Sequence, residues 1–188
     1  MYTFKNFTTL TFNEIENVLH LRNQSFIREW MFNNNIITWE EHIAFIKNLK
    51  NDSSKTYLYV MRDDEFIGVY SVNEIKNCSG QAGFYISMEA RKQKLAFEFL
   101  YFCLDYIFQS TTIAKLYGFE AIDNKNAFTL NKLFGFYANI DQHLLKNDQE
   151  GFRYGELTQS QFNQLVSSNK IRRMLKFSNS IVYKFIKS

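Results

Sequence analysis

Arg91, Lys92 and Lys94, three cations in the run RKQK, stand just before an apolar stripe. In that stripe Leu95, Phe99, Phe102, Cys103 and Tyr106 recur three and four residues apart, as on one face of a helix. The macrodipole disfavours each cation at a helix N-terminus by about 0.3–1 kcal/mol unless an anion is present. Free N–H groups at such an end also favour a phosphate. The run therefore reads in two ways. Either it is an anion site opening a helix at Leu95, or it is the solvated second turn of a helix that begins at Ser87, a good N-cap with Glu89 in the first turn. Other titratable groups carry the same ambiguity. His42, beside Ile43 at the edge of an apolar face, is either a structural imidazole or a proton acceptor. Glu41, three residues after Thr38, is either the acid of a capping box or a substitute base, and Glu120 is a second substitute base. Cys78 and Cys103 lack metal-ligand spacing, so no metal is expected.

The elements that must hold these groups alternate strand and helix. Gln81 to Ser87 places Phe84 and Ile86 on one face and Tyr85 on the other, the period of a half-buried strand. Upstream, Lys5 to Phe12 reads as a first strand, and Thr11 to Asn23 as a helix burying Phe12, Ile15, Val18, Leu19 and Leu21. The stretch FIREWMFNN, with Trp30 and Met31, reads as a connection. Thr38 opens a helix that should bury Trp39, Ile43, Phe45, Ile46 and Leu49. Thr56 to Met61 and Phe66 to Val72 are β-branched and aromatic runs joined as a hairpin, with residues 73–80 a loop. Ala114 to Ile122 is a further strand. After the polar turn 123–126 comes a short helix, AFTLNKLF, closed at Gly135 as a C′ glycine. Phe136 to Leu145 and Gly151 to Leu157 form a last hairpin around KNDQEG. The predicted class is α+β.

The chain has 188 residues, 46% apolar and 18% aromatic, enough for a sizeable core. A net charge of +3, spread apart from Lys170, Arg172, Arg173 and Lys176, implies no nucleic-acid surface. No apolar run is long enough to span a membrane. Two cysteines without a signal peptide suggest a reducing cytoplasm.

Two stretches carry a resemblance. RKQKLA, Arg91 to Ala96, matches the first and last positions of the pattern [Q/R]xxGx[G/A], with Lys94 where glycine is expected. NKNAFTLNKLFGF is similar to NxxAxxLYxxxGF, agreeing at Asn124, Ala127, Leu130, Gly135 and Phe136. The chain thus resembles the GNAT superfamily of acyl-coenzyme A dependent N-acetyltransferases. The resemblance implies a mixed, mostly antiparallel sheet of about seven strands flanked by helices. It also implies a domain over residues 1–158, with acetyl-CoA held by Ile86, Ser87, Arg91, Lys92, Gln93, Lys94, Leu95, Ala96, Asn124 and Asn131. The N-terminal half, with its RN pair, WM pair, EH at a helix start, FIxxL and IGV, is similar to the N-acetyltransferases of pseudaminic acid biosynthesis. That similarity implies a nucleotide-linked amino-deoxy sugar as acceptor, with Arg22, Trp30, Met31, His42, Asn73 and Tyr85 as its ligands. Relatives have a basic residue after Asn73, where this chain has Glu74.

Direct attack of an amine on a thioester needs a base, donors for the oxyanion and a way to release the thiolate. Backbone N–H groups near Ile86 suit the oxyanion, and His42 is the expected base, with Glu41 or Glu120 in reserve. Asn131 stands where relatives carry an acidic tyrosine, and an amide cannot give up a proton. Such an acid contributes about 10²–10⁴ in rate. Residues 159–188, QSQFNQLVSSNKIRRMLKFSNSIVYKFIKS, read as a helical extension with two helical patterns, packed on the domain or on a partner subunit. An acyl carrier protein as partner, a longer acyl donor, a homodimer, and a degenerate non-catalytic sugar-nucleotide binder remain open.

Overall fold

The computed structural model describes residues 1–137, 151–168, 171 and 183–186. It forms two units, described one at a time: residues 1–74, 83–95 and 181–188, and residues 75–82 and 96–180.

In the first unit, strand β1 (Tyr2–Asn6) gives way to a 3-10 turn at Phe7–Thr9. The predicted strand over Lys5–Phe12 is therefore corrected. Asn6 Oδ1 accepts from Thr8 N–H at 2.9 Å and turns the chain out of the strand. Helix α1 (Phe12–Arg22) starts at Thr11, where Glu14 closes a capping box. Phe12 is 64% exposed, so its place in the buried stripe is also corrected. A single turn, α2 (Ser25–Arg28), interrupts the predicted connection. Helix α3 (Trp39–Leu49) has the expected capping box between Thr38 and Glu41. Its buried face is His42, Ile46 and Leu49, while Trp39, Ile43 and Phe45 are only half-buried.

Strands β2 (Thr56–Arg62) and β3 (Glu65–Lys76) pair antiparallel, with a register shift between Val60 and Met61. β1 pairs antiparallel with β2 and parallel with β7 (Tyr183–Ile186). Residues 183–186 are thus a strand, which corrects the second helical pattern of the tail. A hydrophobic cluster of this unit is Phe7, Val18, Ile46, Leu49, Tyr59 and Val69, the apolar faces of α1 and α3 laid on β2 and β3. β4 (Ser79–Ile86) ends in this unit beside β3, where Ser87 N–H donates to the Ile67 carbonyl at 2.9 Å. Helix α4 (Met88–Lys92) follows, capped by Ser87, whose Oγ accepts from Ala90 N–H at 3.1 Å.

In the second unit, the start of β4 pairs parallel with β5 (Lys115–Ala121), from Ser79↔Lys115 to Gln81↔Tyr117. β5 pairs antiparallel with β6 (Phe152–Thr158) over its whole length. Among the described residues the strands number seven, with parallel pairs at β1–β7 and β4–β5. Helix α5 (Ala96–Ser110) buries eight residues, Phe99 and Leu104 among them. Helix α7 (Gln159–Ser167) packs Phe162 against Phe108, ring centroids 5.5 Å apart. Helix α6 (Lys125–Leu133) starts at Asn124 and ends before Gly135, whose φ of +87° is the C′ geometry expected there. The first strand of the predicted final hairpin lies mostly outside the described residues, as does most of the tail after Ser168.

Candidate active site

Arg22 is the last residue of α1, and its side chain turns back over the loop that follows α2. Its Nη2 donates to the Asn33 carbonyl at 2.6 Å. Arg28 does the same for Asn34 at 2.8 Å. Asn23 clamps Ile37 from both sides, donating to its carbonyl at 2.8 Å and accepting its N–H at 2.9 Å. This is why a Pro-free, Asn-rich loop holds one course. Trp30 and Met31, half-buried, are fixed by N–H bonds to Ile27 and Arg28.

Another nitrogen of the Arg22 guanidinium, Nη1, is buried and has no hydrogen-bond partner. Burial lowers its pKa from the usual arginine value, opposed by Tyr85 and reinforced by Arg28. Tyr57 closes the group by donating to Asn73 Oδ1 at 2.7 Å. Burial raises the pKa of Tyr57 and, more strongly, that of Tyr85, so both phenols stay neutral. Arg22, Asn73 and Tyr85 are thus brought together, with Tyr57 added. Tyr57 went unread because TYLYV alternates without showing which tyrosine faces the site. Glu74, beside Asn73, is exposed and has a φ of +53°, a kink in β3.

His42 is buried and hydrogen-bonded to the Ile15 backbone, while its Nε2 has no partner. The bond therefore falls to Nδ1, whose N–H donates to the Ile15 carbonyl and ties α3 to α1. Burial lowers its pKa, so the ring is neutral near pH 7 with a lone pair on Nε2. Glu41 is held in its cap: Oε2 accepts from Thr38 N–H at 2.7 Å. That is the structural of its two roles.

The cation run takes the second of its readings at the start and then departs from both. Helix α4 begins after Ser87 but stops at Lys92, and α5 starts afresh at Ala96. Lys94 N–H donates to the Arg91 carbonyl and Leu95 N–H to the Ala90 carbonyl, both at 3.0 Å, the paired bonds of a Schellman motif. Lys94 sits at C′ with a φ of +60°, the left-handed conformation that glycine adopts without strain. Leu95 and Ala90 are both buried, the apolar contact that usually accompanies this ending. Lysine has thus replaced glycine while the backbone keeps glycine's shape. Arg91 lies over the Phe26 ring at 4.7 Å, whereas Lys92, Gln93 and Lys94 are exposed. Lys92 and Lys94, exposed on this turn, could hold a diphosphate by charge, while the Lys94 and Leu95 N–H groups are already taken.

In the second unit, Asn124 Oδ1 accepts from Ala127 N–H at 3.1 Å as the cap of α6. Asn131 Nδ2 donates to Glu120 Oε2 at 2.7 Å, and Arg153 donates to the other oxygen at 2.8 Å. Glu120 is buried. The Tyr137 hydroxyl bonds both Glu120 and Asn131; burial and then the Glu120 bond raise its pKa beyond the ordinary phenol range, with the Asn131 bond opposing. Arg153 also stacks on Phe128, 4.1 Å from the ring centre. Tyr137 and Arg153 were missed. Tyr137 directly follows the GF of the second motif, and only the reversal at Gly135 brings it back to Asn131. Among the described residues there is no His, Cys, Asp and Glu group that could hold a metal, and no helix long and apolar enough to cross a membrane.

Comparison with known proteins gives consistent results. The family described as acetyltransferase (GNAT) domain matches residues 6–137. The chain is 33% identical over 132 residues to the acetyltransferase PseH of Campylobacter jejuni strain 81-176, covering 69% of this chain and 81% of that protein. The crystal structure of Campylobacter jejuni N-acetyltransferase PseH in complex with acetyl coenzyme A superposes with a TM-score of 0.61 at 26% identity, covering 85% of this chain and 99% of that one. Spermidine N-acetyltransferase from Vibrio cholerae, in complex with CoA and spermine, gives 0.74 at 19% identity over 86% and 98%, a likeness of fold alone. The chain belongs to the GNAT family of acetyltransferases and is an acyl-CoA-dependent N-acyltransferase.

Proposed function

We propose that the protein transfers an acetyl group from acetyl-CoA to the amino group of a nucleotide-linked amino-deoxy sugar. The observation that carries the acceptor is the buried, unpartnered Nη1 of Arg22, held among Tyr57, Asn73 and Tyr85. A buried guanidinium donor left unpaired is unfavourable in the free protein, and an anionic oxygen relieves it. A sugar-nucleotide diphosphate supplies such oxygens, with Asn73 and Tyr85 as polar neighbours for the sugar and Trp30 and Met31 as flanking apolar surface. Acceptor identity also draws on similarity to the PseH proteins.

Acetyl-CoA supplies the activated acyl group, and Lys92 and Lys94 are the cations for its diphosphate. The chain's own part is to position and to accept a proton. The lone pair on His42 Nε2 suits it to take the proton that the attacking amine sheds, directly or through water. Asn131, bound to Glu120, cannot act as an acid, so the sulfur leaves as a thiolate, tolerable for a thiol of pKa about 8.5. The test is free-thiol release from acetyl-CoA with a panel of UDP- and dTDP-linked 4-amino-4,6-dideoxy sugars. Turnover with at least one of them, weakened in Arg22→Ala chiefly through the KM of the sugar, is the expected result. Thiol release only with polyamines or amino acids would overturn the acceptor.

A further inference from the structure

Gly68 on β3 lies against the Tyr85–Ile86 segment of β4. A Cβ placed on Gly68 would collide with the Tyr85 carbonyl oxygen and stand 2.9 Å from Ile86 Cα and 3.1 Å from its Cγ2. No side chain fits there. The register pairs Tyr59 with Val69 and Val60 with Gly68. Val69 and Tyr59 face the core under α1 and α3, so Gly68 presents the opposite face of the sheet. The Tyr85 carbonyl oxygen and Ile86 Cα therefore lie over the face that Gly68 presents. In a planar trans peptide the N–H points away from the C=O. The Ile86 N–H consequently points away from Gly68, while the next N–H, that of Ser87, points back to β3. Ile67 next door is left unpaired where the β2–β3 register slips, a bulge, and its carbonyl takes the Ser87 N–H. The course of β4 at this point is thus imposed by its neighbour.

We propose that Gly68 is a positioning residue for acyl transfer: by making room for the Tyr85 carbonyl it aims the Ile86 N–H at the oxygen of the acyl group. This rests on the acetyl-CoA reading given above. As the amine lone pair forms the N–C bond, the carbonyl π pair moves onto oxygen, where the Ile86 N–H meets it with a hydrogen bond and transfers no proton. The pair returns as the C–S bond breaks and its electrons leave on sulfur. The proton shed by nitrogen balances the one the thiolate later takes from water.

Two coenzyme A analogues test this on the full-length, 15N-labelled protein. One is the methyl ketone in which CH2 replaces the thioester sulfur, keeping the carbonyl, and the other is desulfo-coenzyme A, which lacks it. The Ile86 amide signal is expected to move with the ketone only, and the ketone to bind about tenfold more tightly than desulfo-coenzyme A. Gly68→Ala should erase that preference while still binding desulfo-coenzyme A, whereas Val18→Ala, a core truncation in α1, should keep it. Should Gly68→Ala fail to fold, the wild-type titration still overturns the proposal if Ile86 answers both analogues alike. If both analogues bind and Ile86 responds to them alike, or if Gly68→Ala keeps the preference, the proposal is overturned and the donor reading stands. Binding of neither analogue at millimolar concentration overturns both.

Discussion

The two polar clusters of this chain are built on opposite plans. Around Arg22 in the first unit, Tyr57, Asn73 and Tyr85 leave one buried guanidinium nitrogen without an acceptor. Around Glu120 in the second, both carboxylate oxygens are taken, by Asn131 and by Arg153, and the Tyr137 hydroxyl joins them. An open circuit is suited to binding, because a ligand completes it. A closed one is suited to holding its members still. Charge alone does not separate the two, since each contains an arginine.

The largest expected effect comes from breaking the closed cluster. Glu120→Ala strands a mostly buried Arg153 and the Asn131 amide, and loss of one partner of a buried pair costs about 3–5 kcal/mol. Thermal unfolding should show a drop of more than about 6 °C at 2–4 °C per kcal/mol. A drop under 2 °C would mean that water already serves these groups. The open cluster should respond in the other currency. Arg22→Met removes a buried unpaired donor together with the bond to the Asn33 carbonyl, opposed changes of about 1 kcal/mol each, so stability should change little, while affinity for UDP, measured by calorimetry, falls by about 1.5–3 kcal/mol. An equal loss of stability in both variants would erase the contrast drawn here.

His42 sharpens the comparison with a smaller effect. Its pKa is lowered in the folded state, mainly by burial. The unfolded chain therefore binds more protons as pH falls through the ordinary histidine value, and stability must fall with it. For one group the slope is at most about 1.4 kcal/mol per pH unit. It begins near pH 6.5 and ends below the folded pKa. Urea unfolding from pH 7.5 to 5 should show this loss in the wild type and less of it in His42→Asn. Parallel curves would place the acid sensitivity elsewhere.

Much of this was legible beforehand, for identifiable reasons. The capping box at Thr38 and the C′ glycine at 135 depend on local side-chain chemistry, which sequence shows directly. Arg22, Asn73 and Tyr85 came from resemblance, and their convergence needed the fold. Three features were hidden. The turn at Asn77–Cys78 has φ of +51° and +57° with no glycine, so a tight β3–β4 hairpin looked like a long loop. The break between α4 and α5 falls at a lysine, where no punctuating residue marks it. Tyr183–Ile186 continues a helical-looking pattern, yet pairs with β1, because an edge strand's free N–H and C=O groups outweigh a weak local preference.

Lys94 keeps a glycine's backbone and adds an ammonium on a four-carbon stem. A main-chain N–H grips an anion at fixed geometry; an exposed ammonium attracts it through solvent, over a Debye length of about 8 Å at physiological ionic strength. Donor affinity in this chain should therefore track the salt of its surroundings, making ionic strength an external dial on a step that a glycine loop would hold nearly constant.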